Sequence, residues 1–268
     1  MFIYREDDPT GTYLIPQVSH AWLAWQVAQH WGNRSFARPA PLPETLAAVL
    51  LHDCGWSDFD ESPILDDENR PRAFDRMPVA EHLAIWRKSV SRCAQYNRYA
   101  GLLVASHFAG MAERKLDDLL ERDDNASARM TQAFAAEMEG LERAWREDLE
   151  VDARYQAYLA GHGRQVNAFL LDACDRISVY LCASLPSPFD VRGESANGET
   201  MSITVDKVDD TTWRVHPWPL QGERLRLQCE GRRLPTSSFE SLAEFQKTFA
   251  HAPTVRLVFT LLRPSAVG

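Results

Sequence analysis

Apolar residues recur at three- and four-residue spacing through most of the first 183 positions, then alternate with polar ones beyond residue 200, and that change of period predicts two kinds of structure. Val18, Trp22, Trp25 and Ala28 form a stripe over residues 17 to 31, which reads as a helix that buries them, with His20 near its start. After the Pro-rich RPAPLP, Pro43-Glu44-Thr45 opens a second helix that Gly55 terminates, so His52 and Asp53 fall in its last turn. Residues 56 to 78 are irregular and polar. A stretch of that length exceeds a routine connection and usually serves a function or moves.

Helices are predicted from Val79 to about Tyr99, carrying His82, and from Ala100 to about Met111, carrying His107. Residues 113 to 158 are charged, alanine-rich and nearly free of Gly and Pro, as one or two long solvated helices require. A last helix, about 165 to 183, presents Val166, Phe169, Leu170, Ala173, Ile177 and Leu181 on one side; Asp172 and Asp175 lie three apart on it. Beyond it, MSITVD, TTWRVHPW and RLRLQCEG read as short strands, SSFESLAEFQKTF as a helix capped by Ser238, and TVRLVFTLL as a strand. The predicted fold is therefore mainly α: a helical domain over 1–190 with a small antiparallel α+β appendage over 195–268.

Composition narrows the function classes. A hydrophobic content of 45% and a charged content of 25% are ordinary for a globular protein. The net charge of −9 argues against general binding to nucleic acid or anionic membrane. The opening MFIYREDDPT has neither a basic start nor a long apolar run, so a cytoplasmic protein is the expectation. Five scattered cysteines without CxxC spacing read as reduced, buried thiols. Self-association is left open. There is no GxSxG, GxxxxGK, GxGxxG or HExxH.

What stands out is an ordered set of imidazoles and carboxylates: His20, the adjacent His52-Asp53, His82, His107 and Asp175, each in a helical segment. These ligand types suit iron, manganese or zinc, and one carboxylate can bridge two such ions. Any one helical histidine is more often a core or surface residue; the order gives the set its weight. His30, His162, His216 and His251 read as structural, and Asp172 as either a support for a ligating imidazole or a solvated residue. Arg70, Arg72 and Arg76 lie in the long loop, where they either reach an anionic substrate or keep the loop soluble. Trp56 reads equally as a pocket wall or as core.

In that order the chain resembles the HD-domain superfamily, whose metal pattern is His, then His-Asp, then a distant Asp on a helical fold; the resemblance covers about residues 15 to 185, with DACDRISVYL similar to the Asp-bearing final helix. His82 and His107 resemble the two-metal branch. The resemblance implies an HD-like helical bundle in which His20, His52, Asp53 and Asp175 hold one divalent ion, while His82 and His107 share a bridging, catalytic Asp53 at a second. Two carboxylates do not neutralise two divalent ions, so such a centre stays net positive and suits a small phosphorylated anion. The leading expectation is thus a metal-dependent phosphohydrolase. The mixed-valent diiron oxygenases of the superfamily, such as inositol oxygenase, use a similar ligand order and are the alternative; a non-catalytic ligand-binding domain is the third. The chain lacks the GYP-type segment of the signalling phosphodiesterases.

Overall fold

A computed structural model describes residues 2–5 and 11–264. The chain begins with two short strands, β1 (Phe2–Arg5) and β2 (Thr12–Pro16), and turns directly into α1 (Gln17–Gln29). There follow α2 (Leu42–Leu51), a 3-10 turn at Cys54–Trp56, α3 (Ser57–Glu61), a second 3-10 turn at Phe74–Arg76, α4 (Val79–Tyr96) and α5 (Arg98–Glu121). Next come α6 (Asn125–Glu150), α7 (Ala153–Gln156), α8 (Gly161–Ala183), β3 (Phe189–Glu194), β4 (Thr200–Lys207), β5 (Thr212–His216), β6 (Arg224–Leu234), α9 (Leu242–His251) and β7 (Thr254–Leu262).

The sheet overturns the expectation of a helical, HD-like bundle with a small antiparallel appendage. All seven strands form one curled half-barrel, in the order β1-β2-β6-β7-β5-β4-β3, and strands make up 21% of a chain that is 54% helical. The N-terminal hairpin enters it through β2, where Thr12 to Leu14 pair with Arg232 to Leu234. Nor is the sheet wholly antiparallel, since β5 runs parallel to β7. One hydrophobic core joins helices and sheet, running from Leu23, Leu103 and Leu170 to Val205, Trp213 and Leu227. The compositional boundary near residues 190–195 falls at β3, inside that continuous core.

The apolar stripe of α1 is only half kept: Ala28 is buried and Trp25 packs partly against the core, but its other two residues face outward. Val18 and Trp22 are 38% and 42% exposed, while His20, Ala21, Leu23, Ala24, Val27 and Ala28 are buried. Small residues let α1 lie close to its neighbours on the inner face, and the large Trp22 stacks on Trp25 outside, ring centroids 4.6 Å apart. Polar side chains of the same helix finish the sheet. Beyond its short pairing with β2, β6 presents backbone groups that Ser19 and Gln26 satisfy, each as both donor and acceptor, at Glu230 and Gln228. The sheet therefore fixes the height and rotation of the helix that carries His20.

Smaller corrections have local causes. The predicted helices near 100–111 and 113–158 divide differently: α5 runs unbroken to Glu121, and the break comes where Asp123 takes a left-handed φ of 57° and Asp124 caps α6 by accepting from Ser127 N. Ser241, not Ser238, caps α9, accepting from Glu244 N. No helix among the described residues is long and apolar enough to cross a membrane.

Candidate metal centre

His20 lies in the first turn of α1, already buried because β2 delivers the helix into the core. His52 ends α2 in helical conformation, but Asp53 departs to φ −107°, ψ 19°, and this change of direction lets two successive side chains face the same point. The corner is held from α4. Ser89 Oγ accepts from Gly55 N at 2.9 Å, and Arg92 donates to Cys54 O at 2.7 Å. Gly55 is required there, since a Cβ would sit 2.3 Å from Ile85 O. His107 projects inward from α5 and Asp175 from α8.

These residues meet. Ligand atoms of His20, His52 and Asp175 all lie within 4.8 Å of one another. His20 Nε2 is 2.8 Å from Asp53 Oδ2, and His52 Nε2 is 3.7 Å from the same oxygen. Asp175 faces two ways: Oδ1 lies 3.3 Å from His52 Nε2, and Oδ2 lies 3.4 Å from His107 Nε2. Asp175 is thus the carboxylate whose two oxygens address different imidazoles. His82 stands beside this group with its ring against Trp56 and Trp86, centroids 5.1 and 4.6 Å away, so Trp56 is a buried wall of the His82 niche.

The far nitrogens define which atoms face the centre. His52 Nδ1 donates to Val49 O at 2.8 Å, so it is Nε2 that faces Asp175, donating to it when protonated and free to ligate when not. Ser178 Oγ donates to Asp175 O, so it can only accept from His20 Nδ1–H, 2.9 Å away. His20 Nε2 then confronts the acceptor-only Asp53 carboxylate, an arrangement that requires a cation, either a proton or a metal ion, between them. His107 Nε2 and His82 Nδ1 are buried without a hydrogen-bond partner. His20 and His52, whose opposite nitrogens are oriented by Ser178 and Val49, face Asp53 and Asp175, with His107 Nε2 3.4 Å from Asp175, and such a set fits a transition-metal site.

Charge is divided unevenly. Burial opposes the ionised form of Asp53, but the His52 charge and the His20 hydrogen bond outweigh it and hold the carboxyl below its usual range. Burial likewise opposes Asp175, yet His107 and His52 hold it well below that range. Burial disfavours a charged His52, while Asp53 and Asp175 prevail and push it up to about 9. His82 is driven the other way, down to about 3, by burial first and then by the Lys115 charge, so it stays a neutral imidazole.

The loop arginines are occupied, two within the loop and one by α4. Arg70 pairs with Asp66 and Glu68, Arg76 with the same two carboxylates at 3.4 and 3.5 Å, and Arg72 lies 3.9 Å from Glu81. Arg70 and Arg76 border a cavity of about 530 Å³ between β1 and the end of α8, and no residue of the His/Asp group lines it. Asp172 pairs with Arg114 at 2.9 Å rather than with a ligating imidazole. His30 and His251 bond to backbone oxygens of their own helices, and His162 pairs with Glu194. The sequence reading missed Ser178 and Ser89. A serine three residues after a candidate ligand on a helix was the available signal for Ser178.

No curated protein and no solved structure matches the chain. A family model does, over residues 2–236, under the description "Protein of unknown function (DUF3891)". That span takes in β1, the whole His/Asp group and all of β6, and the chain belongs to that family.

Proposed function

We propose that this protein is a metal-dependent hydrolase of a small phosphorylated anion. The observation that carries the reading is the convergence of His20, His52 and Asp175 within 4.8 Å, with Asp53 and His107 in contact with them. His20, His52, Asp53 and Asp175 would hold one divalent iron, manganese or zinc ion, and His82 and His107 would supply imidazoles to a second. Such ions polarise a phosphoryl oxygen and lower the pKa of water, which makes hydrolysis available without a side-chain nucleophile.

The chain's own residues prepare that chemistry. Asp53 and Asp175 are held ionised, which concentrates negative charge where cations bind. Val49 O and Ser178 keep the Nδ1 protons of His52 and His20 outside the centre. Trp56 and Trp86 exclude water from His82. The order of ligands and their helical setting favour an HD-type site, carried here on a fold that also includes a large sheet. The net charge of −9 favours a small-molecule substrate over nucleic acid, in a cytoplasmic setting.

Elemental analysis of anaerobically purified protein, followed by a screen of phosphomonoesters and nucleotides with manganese, iron and zinc, tests the reading. Bound metal and phosphate release are expected. Substrate-dependent oxygen uptake without phosphate release would select a diiron oxygenase instead, and protein that binds no metal would refute both.

A further inference from the structure

The His/Asp group meets solvent beside Asp175. Among the side chains in contact there, His20 and His52 are 1% exposed, His107 3%, Asp53 10% and Asp175 15%. Asp175 projects from α8, and helical side chains lean toward the N-terminus, so its carboxylate reaches toward the turn that carries Asp172, three residues earlier on the same side. Asp172 accepts from Arg114 Nη2 at 2.9 Å. This ion pair therefore joins α8 to α5 only about 4.5 Å of helix rise from Asp175, beside the place where Asp175 Oδ2 and His107 Nε2 approach to 3.4 Å.

The second coordinate of the guanidinium comes from α5. His107, Gly110 and Arg114 follow one another at three- and four-residue spacing and share a face of that helix. Arg114 folds back along it, with Nη1 3.8 Å from the point a Cβ at Gly110 would occupy. Gly110 has no side chain to fill that space, so the guanidinium lies against the turn next to His107. Asp172 engages Nη2, and no hydrogen bond or ion pair among the described residues uses Nη1. A guanidinium has five N–H donors, so Arg114 keeps donors for a second acceptor. At 55% exposure the pair itself adds little to stability; what it does is fix where the cation stands.

We propose that Arg114 is the substrate-binding residue of the centre, and that it receives the substrate's phosphate group at the α5–α8 mouth while Asp172 holds the guanidinium in place. The inference rests on the hydrolase reading and deepens it by assigning the anion-binding role. A planar guanidinium matches the oxygens of a phosphate through charge-assisted hydrogen bonds. Arg70 and Arg76, by contrast, border a cavity that no residue of the His/Asp group lines.

Calorimetric titration of inorganic phosphate into manganese-loaded and metal-free protein tests this. Arg114→Met should weaken phosphate binding about tenfold or more, the scale of one charge-assisted contact. Gly110→Asp, which keeps Arg114 but sets a carboxylate beside Nη1, should weaken it comparably. Asp172→Asn keeps the guanidinium and removes a competing carboxylate, so it should change binding far less. Equal losses in Arg114→Met and Asp172→Asn would mean that the pair acts only by joining α5 to α8, and would overturn the proposal. So would wild-type affinity in Arg114→Met, or wild-type protein that binds phosphate in neither form. Thermal melting of each variant identifies any loss due to misfolding, and Arg114→Gln replaces Arg114→Met if that occurs. Phosphate bound through Arg114 by a protein that takes up no manganese would refute the hydrolase reading alone.

Discussion

His20, His52, Asp53 and Asp175 are tied to one another and to fixed outer partners, whereas His82 and His107 present buried nitrogens without hydrogen bonds. Both sets are imidazole-rich and buried; Asp53 and Asp175 tie the first together, whereas of the second only His107 reaches a carboxylate, its Nε2 3.4 Å from Asp175 Oδ2. Protons do in the first set what a metal would do, as the elevation of His52 to about 9 indicates. In the second set His82 is kept neutral, by burial first and then by the Lys115 charge.

Asp175→Asn is expected to erase the distinction, because Asp175 alone contacts His20, His52 and His107. Metal affinity should fall by more than about 100-fold, beyond what loss of an outer partner costs, read by calorimetry with manganese or zinc. Next in size is Gly55→Ala. The new methyl would meet Ile85 O at 2.3 Å and Ser89 Oγ at 2.7 Å, pushing the His52-Asp53 corner from α4. A loss of about 1–3 kcal/mol in urea unfolding, typical of overpacking, should accompany weaker metal binding; unchanged stability would mean the corner relaxes freely.

Ser178→Ala probes the first set alone. Without an acceptor, His20 Nδ1–H is unpaired and the ring free to turn, so affinity for the first ion should fall roughly 10-fold, the lower range for loss of an orienting partner. His107→Ala should do the converse, leaving that ion and removing the second along with most turnover, as judged by metal stoichiometry. Equal loss in both variants would reveal a single mononuclear site.

The smallest expected effect is the pH dependence of the metal-free protein. A histidine raised to about 9 contributes stability that is complete below the ordinary imidazole pKa of about 6.5 and is lost as pH rises through about 9. Asp53 and Asp175, both depressed, contribute in the opposite sense: their stabilisation is present above the ordinary carboxylate pKa and lost as pH falls through the folded values. Urea midpoints of chelator-treated protein should therefore decline at the alkaline end, and His52→Gln should flatten that decline. Metal binding, which displaces the His52 proton, should tighten over the same range.

Much of the site was legible because its ligands lie on helices whose periodicity is local. His20, His52, His107 and Asp175 could be assigned to elements from spacing alone, and those elements form. The arginines were weighed as anion binders because of where they lie along the chain, but their partners Asp66 and Glu68 are in the same loop, and ion pairing within the loop is a matter of three-dimensional folding.

The sequence by itself determined most of the long helices and the imidazoles and carboxylates they carry, though not where α5 ends and α6 begins, since these depend on residues within one or two turns of each other. It did not determine that Phe2–Arg5 and Thr12–Pro16 are strands, because four- and five-residue segments carry too little periodicity, β1 pairs only with β2, and the strand that joins β2 to the sheet, β6, lies more than two hundred positions away. It did not determine which face of α1 is buried either. Trp22 is large and apolar, but Leu23, Ala24 and Val27 take the inner face with His20, because β6 binds Ser19 and Gln26 and so sets the rotation of the helix. Those choices were made by long-range packing and backbone pairing, where the free energy belongs to pairs of segments and not to either one.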